Sequence, residues 1–154
     1  MMKKKVCFAA SSGGHFEQLC MLKPLMKKYD SIVVTEKTDY RVEIKDEKMY
    51  YLYQVNRKEI SMLFLMVLNT FKSLKLIIVE KPDVVITTGV LAMIPLCLIA
   101  KVFGKQLIYI ESFAKISSPT ETGKLLYKFA DQFYVQWESM KKFYPNAICL
   151  GGIY

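Results

Sequence analysis

Short apolar segments that alternate with stretches long enough for helices constrain the fold of this chain more than any other feature. Val33 and Val34, and then Val84, Val85 and Ile86, form uninterrupted apolar runs, which is typical of strands covered on both faces. Strands and helices in alternation favour a parallel sheet. We therefore predict an α/β fold with a parallel sheet covered by helices. The predicted strands are residues 5–10, 31–35, 49–55, 83–87, 106–111, 131–136 and 147–150.

The segments between these strands predict helices at residues 16–28, 60–80, 90–103, 124–130 and 138–143. In the longest, apolar residues recur at intervals of three to four and leave Lys72 and Lys75 for a polar side, which indicates an amphipathic helix. The repeat consists of Leu63, Val67, Phe71, Leu74 and Ile78. No repeat or linker divides the chain, so we expect one domain spanning 1–154, with the charged stretch 37–48 as a loop or short helix.

Composition excludes several classes of protein. The chain is 53% hydrophobic and 23% charged, which is too apolar for intrinsic disorder. Its four cysteines stand singly, so neither a disulfide framework nor a zinc cage is expected, and a reducing cytoplasm fits best. The first apolar run covers only residues 6–10, shorter than the roughly 7–15 residues of a signal peptide, so secretion is not expected.

The charge balance favours a membrane surface over nucleic acid. A mean hydropathy of +0.20 with a pI near 9.2 suits an anionic lipid surface. The apolar run 61–68 ends at Asn69, and the run 90–103 is interrupted by Pro95. Neither is therefore predicted to span a bilayer. Arg41 and Arg57 are the only arginines in the sequence and no nucleic-acid-binding motif occurs, so we expect no nucleic acid partner.

The sharpest local motif is Ser11, Ser12, Gly13, Gly14, His15, between the first strand and the first helix. Glycines allow close backbone approach, and a helix start offers unpaired N–H groups, so the motif suits a diphosphate. A tight turn that merely caps the helix is the alternative. The dinucleotide and P-loop fingerprints are absent. We expect His15 to be neutral at the helix start and able to give or accept a hydrogen bond.

Two further strand ends carry candidate residues. Thr88 and Gly89 form another strand-to-helix junction. Either this junction lines a crevice together with the junction after the first strand, or it only caps the helix. Glu111 and Ser112 follow the next strand, where Glu111 is a candidate to accept hydrogen bonds from a sugar hydroxyl or to act as a base. A second carboxylate of comparable placement is lacking, so a glycosidase is weakly supported, and no metal site is expected.

The ordered set SSGGH, PDVVITTG, YIESFA and SPTETGKLLYKFADQFYVQW resembles a known family. It is similar to the membrane-associated subunit of the split UDP-N-acetylglucosamine transferase that acts on dolichol-linked sugar, and to its bacterial capsule and exopolysaccharide counterparts. The resemblance runs from about Val6 to Gly152. It implies a Rossmann-like fold, corresponding to the N-terminal half of a GT-B glycosyltransferase.

The resemblance implies a subunit of a two-chain, inverting glycosyltransferase. A separate small donor-binding subunit would share the UDP-sugar, and a polyprenyl-diphosphate-linked sugar would be the acceptor. No cofactor is implied. Attachment would be peripheral, at the cytoplasmic face of the cell membrane, through the region around 60–75. By position, Ser12, Gly13, Gly14, Thr88, Gly89 and Ser112 would line the acceptor, with His15 and Glu111 as candidate catalytic residues.

Two other functions remain open from the sequence. In the first, the chain is a noncatalytic membrane scaffold that recruits and activates a separate catalytic subunit. In the second it is a free-standing nucleotide-binding protein, which the missing fingerprints disfavour.

Overall fold

The computed structural model describes residues 3–39, 43–56 and 60–154. Within them, seven parallel strands form one sheet in the order β3-β2-β1-β4-β5-β6-β7. All seven predicted strands are found, with ends shifted by at most two residues, so the predicted parallel sheet is confirmed. They are β1 (Lys5–Ala9), β2 (Asp30–Lys37), β3 (Lys48–Tyr53), β4 (Val84–Thr87), β5 (Gln106–Ile110), β6 (Gln132–Val135) and β7 (Ile148–Cys149).

The observed helices differ from the predicted ones more than the strands do. In the described part of the chain they are α1 (Gly14–Cys20), α2 (Lys23–Met26), α3 (Met62–Glu80), α4 (Ile94–Val102) and α5 (Glu121–Leu126), with 3-10 turns at Leu91–Met93 and Glu138–Lys142. The single helix expected over 16–28 is two short ones, and the one expected over 90–103 is a 3-10 turn followed by α4. Pro24 and Pro95 are the second residues of α2 and α4, because proline is favoured in the first turn of a helix, where no backbone donor is lost.

Two other predicted segments also change. Helix α5 starts three residues earlier than expected because the Thr120 side chain accepts a hydrogen bond from the Gly123 N–H at 2.9 Å and caps the helix. The segment 138–143, predicted as a helix, contains a 3-10 turn instead. The predicted loop over 37–48 begins with the last residue of β2 and ends with the first of β3, and its residues 40–42 lie outside the described residues, as does Arg57.

Alternate residues of each strand enter two separate cores. In β1, Cys7 and Ala9 pack on the face covered by α3, α4 and α5, whereas Val6 and Phe8 pack on the face covered by α1 and α2. This period of two follows from the pleat of a strand. Both faces of the central strands are therefore buried, as the continuous apolar runs predict.

The order of the strands reverses at β1. Phe8 pairs with Val33 of β2 on one side and with Ile86 of β4 on the other. The chain builds outward from β1 in both directions, so the loops after β1 and β4 leave the same edge of the sheet side by side. Ligands of open α/β sheets bind in the crevice at such a switch point.

Helix α3 is continuous through Asn69, which the sequence suggested as an interruption. The Asn69 side chain accepts a hydrogen bond from the Tyr53 N–H at 2.8 Å and donates one to the Tyr53 carbonyl at 2.9 Å. Its polar groups are thereby satisfied, and it also covers backbone groups of the edge strand β3. Among the described residues this is the one helix whose length and composition suffice to cross a membrane, a test that a packed helix of a globular domain also passes.

The apolar repeat of α3 mostly faces outward. Leu63, Phe64 and Phe71 are 72%, 65% and 66% exposed, and Val67 and Ile78 are also exposed. The side packed against the sheet instead carries Asn69, Ser73, Leu76, Ile77 and Glu80. The helix thus presents an uncovered stripe, which we call the α3 face: Leu63, Phe64, Val67, Phe71 and Ile78.

Glu80, the last residue of α3, ties the amino ends of the sheet together. Its buried carboxylate accepts hydrogen bonds from Lys48 Nζ at 2.6 Å, from the Tyr50 hydroxyl and from Lys5 Nζ at 3.1 Å. These donors, Lys48 first, lower the pKa of Glu80 to about 2. The residue therefore links α3 to β1 and to the edge strand β3.

We expect Glu80→Gln to lower the free energy of unfolding by about 1–2 kcal/mol near pH 7, because charge-assisted hydrogen bonds become neutral ones. The folded-state pKa lies below the ordinary value of about 4.3, so the ionised carboxylate stabilises fully above that pH and its contribution is lost as the pH falls toward 2. Urea titrations at several pH values measure this. The difference from wild type should shrink with acid, whereas Glu138→Gln, in an exposed pair, should change little; a difference independent of pH would contradict the assignment.

Candidate functional site

The loop after β1 leaves open space above its glycines. Gly13 has a φ of +81°, a conformation that favours glycine, and its carbonyl accepts hydrogen bonds from the N–H groups of Phe16 at 2.8 Å and Glu17 at 3.0 Å, which begins α1. A Cβ added to Gly13 or Gly14 would meet no atom within 4 Å outside the neighbouring residues. Both glycines are exposed, so a ligand has free access to the backbone here.

His15 and Thr88 join the loops after β1 and β4. His15 Nδ1–H donates to the Thr88 carbonyl at 2.8 Å, and the Thr88 hydroxyl donates to the His15 carbonyl at 2.9 Å. The two residues are 73 positions apart in the chain. The reciprocal pair fixes one loop against the other, as expected of two loops that leave one switch point.

Burial and the same contact act in opposite directions on the protonation state of His15. Burial lowers the pKa of His15, although the hydrogen bond to Thr88 and the charge of Glu111 oppose the shift. The imidazole is therefore neutral near pH 7. Because Nδ1 carries the proton that bonds to Thr88, Nε2 keeps its lone pair and is an acceptor. The sequence prediction of a neutral histidine agrees, but burial rather than the helix dipole is the main cause.

The second loop combines close packing with backbone strain. Gly89 has a φ of +104°, and a Cβ at this position would lie 2.7 Å from the Tyr109 hydroxyl. The next residue, Val90, has a φ of +99°, which costs a β-branched residue about 1–3 kcal/mol. Thr88 and Gly89 are buried, unlike the ligand-lining residues expected from the sequence. Their contacts position His15 and the loop instead.

Beside this loop lies a cavity of about 320 Å³. We call it the loop cavity, and it adjoins His15 and the strained Val90. Its walls combine apolar and polar groups, which is the usual make-up of a small-molecule site. The lining residues are His15, Val55, Asn56, Val90, Leu91, Tyr109, Thr120 and Thr122.

Glu111 lies beneath the cavity and not in it. Its carboxylate is 1% exposed, and Oε1 accepts hydrogen bonds from the Ser112 N–H and the Thr120 hydroxyl, both at 2.9 Å. Oε2 accepts one from the Tyr144 hydroxyl at 2.7 Å. This geometry departs from the expectation that Glu111 contacts a sugar or acts as a base, because both oxygens are occupied and the group is enclosed.

The Glu111 cluster leaves no room for a side chain at Gly123. A Cβ there would lie 2.3 Å from Glu111 Oε2 and 2.6 Å from the Tyr144 hydroxyl. Thr120 completes the cluster by contacting Glu111 and capping α5, and its hydroxyl lies 3.2 Å from that of Tyr109. Glu111 therefore holds the segment that leads into α5. The sequence showed the residue but not this role, since Tyr144 is distant in the chain.

Ser112 contributes to a second cavity, of about 470 Å³, on the other side of His15. We call it the Gln18 cavity, after a residue of α1 that the sequence analysis did not consider. Gln18 is 3% exposed, and its side-chain oxygen has no hydrogen-bond partner among the described residues. Because Gln18 stands beside the charged Glu17, the sequence carried no signal that set it apart. The cavity is lined by Gly14, His15, Gln18, Ser112, Phe113, Ala114 and Tyr154.

Glu36, at the end of β2, is a second residue that the sequence analysis missed. It is 5% exposed, and its carboxylate accepts hydrogen bonds from the N–H groups of Val55, at 3.4 Å, and Ser12. Burial raises the pKa of Glu36. The hydrogen bond to Glu36 thus fixes the backbone of Ser12, which explains how the first loop keeps its shape. The signal was an acidic residue directly after an apolar strand.

Metal ligands do not cluster in the described part of the chain. Over residues 3–39, 43–56 and 60–154, no group of three or more histidine, cysteine, aspartate or glutamate side chains lies close enough to hold an ion.

Solved structures with the same fold extend well beyond this chain. The UDP-N-acetylglucosamine 2-epimerase of Rickettsia bellii superposes with a TM-score of 0.75 at 15% identity, over 98% of this chain and 45% of the epimerase. MurG of Acinetobacter baumannii superposes with a TM-score of 0.70 at 18% identity, over 88% of this chain and 42% of MurG. With these neighbours, the parallel sheet is the Rossmann-like fold of the N-terminal half of GT-B glycosyltransferases.

Sequence comparison identifies the family. The chain is 32% identical over 116 residues to the UDP-N-acetylglucosamine transferase subunit ALG14 of Homo sapiens, and 31% identical over 116 residues to that of Rattus norvegicus. Each match covers 68% of this chain and 54% of the relative, so the chain matches about half the length of these relatives. The family described as "Oligosaccharide biosynthesis protein Alg14 like" matches residues 6–153, and the chain therefore belongs to the Alg14-like family.

Proposed function

We propose that this chain is a membrane-attached subunit of a two-chain glycosyltransferase, which recruits a donor-binding partner and presents a polyprenyl-diphosphate-linked sugar to it. The observation that carries the proposal is the first loop, which is fixed to the second by His15 and Thr88 and open above Gly13 and Gly14. A loop that only turned the chain would need neither the cross-link nor the free space. Family membership supplies the reaction class.

The acceptor diphosphate fits the open loop best. Exposed glycines let phosphate oxygens approach backbone N–H groups, and the net charge of +8 favours an anionic ligand. Thr88 and Glu36 hold the loop from behind and make no direct contact with the ligand. Ser12, Gly13, Gly14 and His15 form the contact surface in this proposal, while Glu111 acts as a positioning residue through Thr120.

Recruitment of a separate catalytic partner is the part of this function that the relatives support best. Their names describe a transferase subunit, and a subunit acts together with at least one other chain. We therefore assign the UDP-sugar site to the partner, as in the scaffold alternative of the sequence analysis. The capsule or exopolysaccharide setting and the inverting stereochemistry stay predictions.

The two-chain proposal predicts that neither chain transfers sugar alone. Membranes containing this chain, a candidate small donor-binding subunit, both or neither should be supplied with labelled UDP-sugars, with the presence of each chain verified. Labelled polyprenyl-linked product is expected only with both, because donor and acceptor sites lie on different chains. Full activity from the partner alone would contradict the proposal.

Membrane attachment is assigned to the α3 face. Its apolar side chains are exposed, and Lys75 and Lys81 on the same helix and its end are exposed as well. Apolar residues that enter the acyl boundary, together with lysines at the headgroups, are the features of an interfacial helix. The helix also packs on the sheet, through Leu76 and Ile77, so it is suited to lie on the surface while remaining part of the domain.

We expect Phe71→Glu to weaken binding to vesicles that contain phosphatidylglycerol by about tenfold or more, because burial of a phenylalanine is lost and a carboxylate meets an anionic surface. Vesicle co-sedimentation measures the change. Ile148→Glu is the matched control, since Ile148 is 38% exposed on β7, at the opposite edge of the sheet from β3. An equal loss of vesicle binding in both variants, or no loss in Phe71→Glu, would contradict the assignment of membrane attachment to the α3 face.

A second candidate role, that this chain also supplies the catalytic base, is favoured by one observation. The Nδ1–H bond to Thr88 leaves His15 Nε2 as an acceptor between two cavities, which is the arrangement that a base needs to take a proton from a sugar hydroxyl. Lysine or arginine at this position would bind diphosphate, but neither would act as a base near pH 7. The scaffold role alone requires no such tautomer.

If His15 is the base, His15→Ala should reduce kcat of the two-chain enzyme by about 100-fold or more while the chains still associate. The wild-type rate should fall only as the pH drops below about 6.5, because the folded-state pKa of His15 is lowered and the neutral form is active. Steady-state kinetics with co-purification of the partner test this. Unchanged kcat with a raised acceptor KM would assign His15 to binding, and unchanged kinetics would leave recruitment as the chain's whole contribution.

A further inference from the structure

Gln18, which lines the Gln18 cavity, has an unexplained buried polar group. Gln18 lies one turn into α1 and is 3% exposed, yet its side-chain oxygen has no partner in the described part of the chain. Leaving a buried amide oxygen unpaired costs about 1–3 kcal/mol. Groups of this kind are few in native structures, and turning the Gln18 amide toward a molecule bound in the cavity would give this oxygen a partner.

The other walls of the cavity are suited to a sugar ring. Phe113 and Tyr154 supply aromatic faces, with ring centroids 5.1 Å apart, and Ser112 supplies a hydroxyl. One face of a pyranose is lined by C–H groups and packs on aromatic carbon, while its hydroxyls need paired donors and acceptors. An amide offers both an oxygen and an N–H₂ group, so Gln18 can bond to a ring hydroxyl or an acetamido group.

The position of the cavity relates the sugar to the diphosphate. Gly14 and His15 form one wall of the cavity, and Gly13 and Gly14 form the open loop. A diphosphate at the loop would therefore place the sugar attached to it beside Gln18. His15 would stand between this sugar and the loop cavity.

We infer that the Gln18 cavity binds the first sugar of the lipid-linked acceptor and that Gln18 is the residue that reads its polar groups. This inference rests on the proposed function, because it takes the diphosphate to lie at Gly13 and Gly14. It goes beyond that function by assigning acceptor specificity to a residue of α1.

Short-chain lipids test the assignment on the full chain, with or without its partner. Titration calorimetry should compare citronellyl diphosphate with citronellyl diphosphate linked to glucose or to N-acetylglucosamine. The variant is Gln18→Met, which keeps an unbranched chain of similar length but has no amide. Glu17→Gln is the control, because Glu17 is exposed on the same helix and lines neither cavity.

Wild type should bind at least one sugar-bearing probe more tightly than citronellyl diphosphate. Gln18→Met should bind that sugar-bearing probe about 3- to 10-fold more weakly than wild type, which is the value of one or two neutral hydrogen bonds. Its affinity for citronellyl diphosphate should be unchanged. Its thermal stability should match or exceed that of wild type, because an unpaired buried oxygen is removed. Glu17→Gln should bind every diphosphate probe somewhat more tightly, because a negative charge near the loop is removed, but should keep the wild-type ratio of affinities for the sugar-bearing and plain probes.

The contrary results are distinct. Unchanged binding of the sugar probes by Gln18→Met, or equal weakening for all probes, would overturn the role of Gln18. A wild-type affinity that gains nothing from the sugar would overturn the cavity as a sugar site while the proposed function stands. Failure of wild type to bind any of the probes would overturn the diphosphate site, and this inference with it.

Discussion

The reciprocal hydrogen bonds between His15 and Thr88 are the contact on which the candidate site depends. They connect the loops after β1 and β4, the two strands at which the sheet changes direction. Parallel pairing brings the carboxyl ends of these strands together, but it does not fix the loops that follow. The pair does so, and it also selects the tautomer of His15, while burial keeps the imidazole in its neutral form. The geometry of the loops and the tautomer of His15 therefore have one common origin.

Buried carboxylates support this contact from below. Glu36 accepts hydrogen bonds from Ser12 and Val55, and Glu111 accepts them from Ser112, Thr120 and Tyr144. Each carboxylate joins segments far apart in the chain and is withdrawn from solvent. The open surface above them is made of glycine backbone, His15 and aromatic rings. The site thus has rigid polar supports and an accessible upper layer, which is the arrangement expected where a ligand must be held in one orientation.

Much of the fold could be predicted from the sequence, because the relevant signals are local. All seven strands were predicted from apolar runs, and the SSGGH and TTG loops follow from their position at strand ends. Long-range pairing could not be predicted. Glu111 was expected at the surface of the site, yet Tyr144 and Thr120 enclose it, and no spacing rule indicates such contacts. Gln18 and Glu36 were missed because single polar residues beside apolar ones carry no motif.

Helix α3 shows a different limit of sequence patterns. The repeat of Leu63, Val67 and Phe71 predicts an apolar stripe correctly, but periodicity does not reveal which side of a helix meets the sheet. The packed side contains Asn69, Ser73 and Glu80, whose polar groups lie against the domain, with Asn69 bonded to β3 and Glu80 to β1 and β3. The partners of Asn69 and Glu80 make it possible for the polar side to be packed inside and for the apolar side to remain outside, where it is available to a membrane.

The most direct measurement of the central claim is amide chemical-shift mapping of the isotope-labelled chain during titration with citronellyl diphosphate. The account predicts the largest shifts at the backbone amides of Ser12, Gly13, Gly14 and His15, with smaller ones at Gly89, which moves only through the His15–Thr88 pair. Shifts confined to another surface, with the first loop unaffected, would contradict the assignment of the switch-point loops as the diphosphate site.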